Sequence, residues 1–489
     1  MRQLIEDFAG PRQMYKKAHV FFSNALEKRL LSGLQKSGPL MERLGTLKEF
    51  NLEYLVHDSH VFTLPVLDDL STFYSADAHQ LVGYEDSLES VASRLATLLA
   101  SLREAPSLRF RADRGSTEEG AKMREMLAGR LAGLVAERVQ GLQARLPDFP
   151  AAETCDLLIL DRAFDPVAPV VHDWSYECLC HDLLRMKGPF YRYRYTSNSG
   201  KAEEKDVPLD ESDPLFRELR SAHVADVLLQ VSARMEAFRA KNPGAAKGKG
   251  DVSVAAMKKM AEALPQYREE LAKLGMHTTV AEELNAAIKL RRLNELGTLE
   301  QALIFGDATS KDIARLLEQL RPAGGSRSDL MAAEAHATDR LRLLLTYFGT
   351  HSEKLDGQAG LAKWKAAAAL APDDMGAILN LELLGAAVLK KPAGSAKPKK
   401  SRRKPPPNEE GWDLPAFVPR LAELIGELAS GALSQEGFPF TNPPVEAGAA
   451  QRAAGAAVPG RSARSAGPSG ASARAKPAAA AAPKFPNAA

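Results

Sequence analysis

Cysteine is scarce: the 489-residue chain has three, Cys155, Cys178 and Cys180. Three thiols cannot build a disulfide framework. Cys178 and Cys180 stand beside His181, but a zinc site takes about four ligands and no second cluster supplies them. The thiols read as reduced side chains, and no metal is expected. Long apolar runs are also lacking, since none approaches the roughly eighteen residues of a membrane-spanning helix. The opening MRQLIEDFAG has no basic segment followed by an apolar one, so it does not read as a signal peptide. Excess charge of either sign is absent. Lys and Arg number 64 against 62 Asp and Glu, and a net charge of +2 gives no reason to expect a nucleic-acid partner. Nucleotide and hydrolase signatures are missing too: there is no GxxxxGKS/T, no GxGxxG after a strand, no HExxH and no GxSxG.

What the chain does have is apolar periodicity. KKAHVFF (16–22) reads as a strand, and the helix after it places Leu26, Leu30, Leu31 and Leu34 on one face. FNLEYLVH (50–57) and HVFTL (60–64) read as strands around an Asp58–Ser59 turn. Leu88, Val91, Leu95, Leu98 and Leu102 mark a helix with one buried face. LRFR (108–111) reads as a strand and residues 117–145 as one long helix. From about 185 to 385 the pattern is mainly helical. Met257, Met260, Leu264, Tyr267, Leu271 and Leu274 form one stripe, and Val280, Leu284 and Ile288 a second. Pro265 is expected to kink or start a helix, Gly275 to close one, and the two stripes to form a helical hairpin. LRLLLTYF (341–348) reads as a buried helix, and residues 363–388 as a helical pair broken at Pro372. Residues 390–407 hold eight Lys or Arg and no acid, the composition of a solvated flexible loop. An amphipathic helix returns over 412–433. After about Val445 the chain is mostly Ala, Gly, Pro, Ser and Arg with very few large apolar residues, and reads as disordered.

The stretch DLLILDRAFDP (156–166) carries the chemical question. Leu157 to Leu160 are uniformly apolar, as in a strand covered on both faces. Carboxylates just past such a strand are a common place for α/β enzymes to keep their chemistry. Asp161 and Asp165 have the residue type for metal binding or acid–base work. Arg162 beside them, and the Asp165–Pro166 turn pair, fit an equally simple role in ending the strand. His172 follows nearby.

The whole passage DLLILDRAFDPVAPVVHDWSYECLCHDLL (156–184) resembles the signature of the SM family, the Sec1/Munc18-like syntaxin-binding proteins. The order is a buried strand, LDR-x-x-DP, a Pro, two apolar residues, His and an aromatic-rich helix. YKKAHVFFSNALEKRLLSGL, TLKEFNLEYLVHDSHVFTL, LREAPSLRFR, LPQYREELAKLGMHTTVAEEL, EQALIFGD, DRLRLLLTYF and FVPRLAELIGELASGALSQEGFPF follow the family order, so the likeness runs over residues 4–443.

The resemblance implies a multidomain arch with parallel-sheet α/β domains and a mainly helical domain. The expected division is a partial α/β first domain (1–65) and the first part of an α/β second domain (66–184). A helical third domain (185–389), the basic loop (390–410), a helix re-entering the second domain (411–444) and the tail (445–489) follow. The implied function is non-enzymatic. It is binding of a syntaxin-type Qa-SNARE and the assembled SNARE bundle to control vesicle docking and fusion, closest to the exocytic members. It needs no cofactor and acts as a monomer in the cytoplasm, held at plasma or vesicle membrane through SNAREs. The family's pocket for the partner's N-terminal peptide falls on Leu31, Leu44, Leu47 and Glu49, with Leu31 where an aromatic ring is familiar. Gln266, Tyr267 and His277 fall on the hairpin that meets SNARE helices. Asp161, Arg162, Asp165, Pro166 and His172 become architecture. The family's first strands, with much of its syntaxin cleft, and its last apolar strand are expected to be missing. Two other readings remain at this point: a metal-dependent α/β hydrolase using Asp161 and Asp165, and a helical scaffold binding anionic membranes through the basic loop.

Overall fold

The structure, a computed structural model, describes residues 2–9, 15–24, 26, 28–64, 70–196, 201–241, 254–320, 327–351, 353–390, 403–405, 411 and 414–442. Most of the basic loop and the whole Ala-rich tail lie outside the described residues. The chain divides into two compact units, Met1–Phe164 with Leu421–Ala489, and Asp165–Arg420. No helix among the described residues is long and apolar enough to cross a membrane.

The first unit contains two small parallel pairs. Strand β1 (Ala18–Phe22) runs parallel to β2 (Leu44–Glu49), with Val20 opposite Leu47 and Phe22 opposite Glu49. Helices α1 (Arg2–Ala9), α2 (Lys28–Gln35) and α3 (Gly38–Met41) supply Phe8, Leu34 and Leu40, which close a core on Ala18. The two strands expected over 50–64 shrink to a short antiparallel pair, β3 (Leu55–Val56) and β4 (Phe62–Thr63). The turn between them is set by Asp58, whose Oδ1 accepts from the amides of His60 (2.7 Å) and Val61 (3.0 Å).

After α4 (Ser71–Tyr74), helix α5 (Tyr84–Leu102) leads to β5 (Pro106–Phe110), which pairs parallel with β6 (Cys155–Ile159). The helix expected over 117–145 is two, α6 (Glu119–Glu125) and α7 (Leu127–Arg145). Period-2 alternation sends Leu108 and Ile159 to one sheet face, against Ala92, Ala96, Ala132 and Val135 of α5 and α7. These alanines let the helices approach closely. Gly129 is needed for the same reason, because a Cβ there would stand 2.9 Å from the Phe110 ring. The opposite face carries Leu158 and Leu160, packed with Phe164, Leu424, Leu433 and Phe438. Both faces of the LLIL strand are therefore packed, but only Ile159 is fully buried; Leu157, Leu158 and Leu160 are half-buried.

The second unit contains an element that the helical pattern of this region did not lead one to expect. It is an antiparallel sheet of β7 (Met186–Lys187), β8 (Phe190–Thr196) and β9 (Ala202–Pro208). Tyr193 and Tyr195 stack at 5.6 Å on one side of β8, while Arg192 and Arg194 meet Asp206 and Glu204 across the ladder. Beside it α8 (Tyr176–Leu183), α9 (Pro214–Leu219), α10 (Val224–Lys241), α11 (Val254–Leu290), α12 (Leu293–Phe305), α13 (Ser310–Gln319), α14 (Arg327–Thr350), α15 (Gly357–Ala368) and α16 (Pro372–Asn380) share one helical core, to which the sheet contributes Tyr191. Pro372 begins α16, which ends the preceding helix as expected. The hairpin expected around Gly275 is not formed: α11 is one helix of 37 residues running through Pro265 and Gly275. A helical Gly costs about 1 kcal/mol. The buried stripe of Leu274, Val280, Leu284 and Ile288 on both sides of Gly275 outweighs that. Helix α17 (Arg420–Ala429) then returns the chain to the first unit.

Candidate functional site

The candidate peptide pocket lies on the β1–β2 pair. Leu47 and Glu49 are two apart and stand on the Val20/Phe22 side of β2. Leu44 is half-buried against the Phe8–Leu34–Leu40 core. Leu31 is half-buried on α2, whereas Leu47 and Glu49 are exposed. The Glu49 carboxylate is already in use within the chain. Its Oε1 accepts from the Leu26 amide at 2.8 Å, fixing the backbone just before α2. A second exposed apolar surface, for which the family resemblance gives no role, is the other side of the pair. There Phe21 and Phe50 meet at 5.4 Å with Lys48 over the Phe50 ring.

The LDRAFDP stretch resolves into separate bonds. Asp161 Oδ1 pairs with Arg111 Nη1 at 2.5 Å. The Arg162 amide donates to the Tyr74 hydroxyl oxygen at 2.6 Å. Burial, aided by the nearby Asp161 charge, pushes that hydroxyl up to about 12. Asp165 is buried and caps the turn through Pro166. Its Oδ1 accepts from Val167 N (3.2 Å) and Ala168 N (3.1 Å), and its Oδ2 from Arg420 N (3.3 Å). These carboxylates are engaged in ending a strand and starting a turn.

His172 lies fully buried in the second unit. Its amide donates to Glu300 Oε2 (3.0 Å), and its ring Nδ1 is 3.0 Å from Glu300 Oε1. Nε2 faces Asp339 Oδ1 at 3.6 Å and Asp182 Oδ2 at 4.0 Å. Asp339 is bracketed by Arg291, with Nε–Oδ2 at 3.0 Å and a second bond from Nη2 to Oδ1. Arg342 holds Asp182 (2.7 Å) and the Val170 carbonyl (2.7 Å). Burial alone would lower the His172 pKa, but the Glu300 and Asp339 carboxylates outweigh it and raise it to about 8. Glu300 and Asp339 are the first residues of EQALIFGD and DRLRLLLTYF. Both segments and His172 stand out in the sequence, but nothing there connects them, because the contact spans more than a hundred residues.

Of the hairpin candidates, Gln266 and Tyr267 lie on α11, but their side chains are outside the described residues. His277 requires a correction: it is fully buried, not a surface contact. Its Nδ1 lies 2.8 Å from the Tyr176 hydroxyl and its Nε2 3.2 Å from Asp213 Oδ2. Asp213 also caps α9 through the amides of Leu215 and Phe216. Burial would raise the Asp213 pKa, but His277 and these amides hold it below the usual carboxylate range. On the outer side of Asp213 opens a cleft of about 650 Å³, lined by Leu215, Glu218, Arg234, Phe238 and Lys273 among others.

The chain matches the family model described as "Sec1 family" over residues 1–486. It is 38% identical over 455 residues to the SNARE-interacting protein KEULE of Arabidopsis thaliana, covering 90% of this chain and 66% of that protein. Against the probable protein transport Sec1a of Oryza sativa subsp. japonica the identity is 35% over 459 residues, covering 91% and 67%. Among solved structures, the Unc18–syntaxin 1 complex from Monosiga brevicollis superposes with a TM-score of 0.69 at 23% identity, covering 90% of this chain and 74% of that one. The SM protein Vps45 in complex with the Qa SNARE Tlg2 gives 0.66 at 22%, covering 89% and 73%. The chain belongs to the Sec1 family, and its fold is the SM-protein fold. It spans about two thirds of the length of these relatives.

Proposed function

We propose that this chain is a non-enzymatic SNARE-binding regulator of vesicle docking and membrane fusion, serving exocytosis. The observation that carries this reading is the 38% identity over 455 residues with a protein described as SNARE-interacting. Its partners are a syntaxin-type Qa-SNARE and the assembled SNARE bundle. It works on the cytoplasmic side and reaches plasma or vesicle membrane through those partners. Leu31, Leu44, Leu47 and Glu49 receive the apolar and basic residues of the partner's N-terminal peptide. The exposure of Leu47 and Glu49 on one side of β2 supports this assignment. Gln266 and Tyr267 of α11 meet SNARE helices. The non-enzymatic reading is supported by the structural bonds that occupy Asp161 and Asp165.

The test is calorimetry of the chain against the cytosolic part of a Qa-SNARE from the same organism, with and without its N-terminal peptide. Glu49→Lys is expected to abolish the peptide-dependent part. Glu49→Gln, which keeps an acceptor for Leu26 N, is expected to weaken it about tenfold, the loss of one charge-assisted contact. Binding indifferent to the peptide and to both variants would remove the pocket assignment. No binding at all would remove the SNARE reading for this chain.

A further inference from the structure

His172 is a fully buried ring with three carboxylates within 4.0 Å of its nitrogens. Nδ1 is within hydrogen-bond distance of Glu300, whereas Nε2 makes no hydrogen bond and stands at ion-pair distance from Asp339 (3.6 Å) and Asp182 (4.0 Å). A neutral ring has one N–H, so its other nitrogen would present a lone pair to a carboxylate. The imidazolium instead donates to Glu300 and turns a positive N–H toward Asp339 and Asp182. The surrounding charges point the same way. Asp182 comes from α8, Glu300 from α12 and Asp339 from α14; Arg342, also from α14, pairs with Asp182, and Arg291, just past α11, pairs with Asp339. With His172 protonated, three cations meet three carboxylates; without the proton, one buried negative charge is left over. His336, one turn before Asp339, does not make up the deficit, because burial lowers its pKa.

We propose that His172 is a proton-operated lock: as an imidazolium it fastens the segment 166–175 to α8, α12 and α14, and its deprotonation loosens that segment. Asp165 caps the start of the segment, the Arg342–Val170 bond holds its middle and the His172 amide bond to Glu300 holds its far half. The segment runs directly into α8, on which α10 and α11 pack. The second unit is therefore tightened by a proton in the pH range that cells themselves traverse.

Two-bond ¹⁵N–¹H spectra of the intact chain with labelled histidine, followed from pH 6 to 9.5, test this. One ring of the ten histidines is expected to stay an imidazolium at pH 7.5 and to lose its proton near pH 8. That ring is missing in His172→Gln, and Glu300→Gln lowers its proton affinity at least tenfold. Amide exchange of residues 167–175 is expected to rise between pH 7 and 9 faster than base catalysis alone. If no ring is an imidazolium at pH 7.5 in the unmodified chain, the lock does not exist, and that outcome needs no variant to fold. If the ring is charged but exchange of 167–175 follows base catalysis alone, the loosening is wrong.

Discussion

Arg109 and His172 are both buried cations, and their two units solve the problem in opposite ways. Arg109 sits on β5 with no ion pair among the described residues. Its Nε donates to the Phe438 carbonyl (2.9 Å), its Nη2 to the carbonyls of Leu433 and Ser434 (3.0 Å each), and its guanidinium lies 4.7 Å from the Phe440 ring. Carbonyl dipoles replace water, while the Asp156 charge acts on it through space. His172 is instead balanced by full charges. A guanidinium solvated by dipoles does not titrate near neutrality. An imidazole among carboxylates does. The Arg109 site thus ignores pH near neutrality, and the His172 site responds to it.

The largest effect that would sharpen this contrast is expected from Asp339→Ala. It strips the shared partner from Arg291 and His172, and breaking a buried pair in this way costs about 3–5 kcal/mol. Denaturation followed by tryptophan fluorescence measures it, because Trp174 and Trp364 are both buried in the second unit. Arg109→Met is expected to come next, at about 3 kcal/mol, because it leaves buried carbonyls unbonded. It should free amide exchange in residues 433–441, and Arg109→Lys should recover part of the loss. A loss no larger than that of an exposed substitution would show that the clamp is dispensable.

The pH contrast follows. The His172 pKa is raised from 6.5 to about 8. Its stabilising contribution is therefore complete below pH 6.5 and disappears as pH rises through 8. That makes about 2 kcal/mol over the window, at 1.36 kcal/mol per unit. The tryptophan-detected midpoint should fall between pH 6 and 9, and His172→Gln should flatten it. The loss on Arg109→Met should be the same at both ends; a pH-dependent loss would break the comparison. The smallest effect is expected from Thr309→Ala at the cap of α13, where the Thr309 side chain and Asp312 form a capping box. Such a change costs about 1 kcal/mol and should leave the pH profile unaltered.

Much of this is legible in the sequence because it is local. The LLIL strand, the turn at Asp58 and the start of α16 at Pro372 are written in neighbouring residues, and the structure keeps them. LDRAFDP carries the resemblance to the family. Two local signals compete with their surroundings. FYRYRYT alternates aromatic and basic residues at a strict period of two, a strand signature set inside an otherwise helical stretch. Gly275 looks like a helix end, yet the apolar stripe on both sides of it outweighs its preference. His277 looks like an exposed contact because its partners, Tyr176 and Asp213, lie at distances in sequence where no pattern connects them. The same holds for Glu300 and Asp339 around His172. Buried polar networks are assembled by the tertiary fold, and periodicity reports only that a position faces inward.

The Asp165 carboxylate has a consequence for the chain's topology. It receives the amide of Arg420, so the first and last residues of the second unit meet at one hydrogen bond. About half of the polypeptide leaves and returns through a single doorway. To the strands and helices on either side, those residues amount to a short loop, however large the excursion becomes. A module attached in this way can be lengthened, trimmed or exchanged without altering the register of its host. A single buried carboxylate, three residues past the LDR motif, therefore ties the two ends of this excursion together.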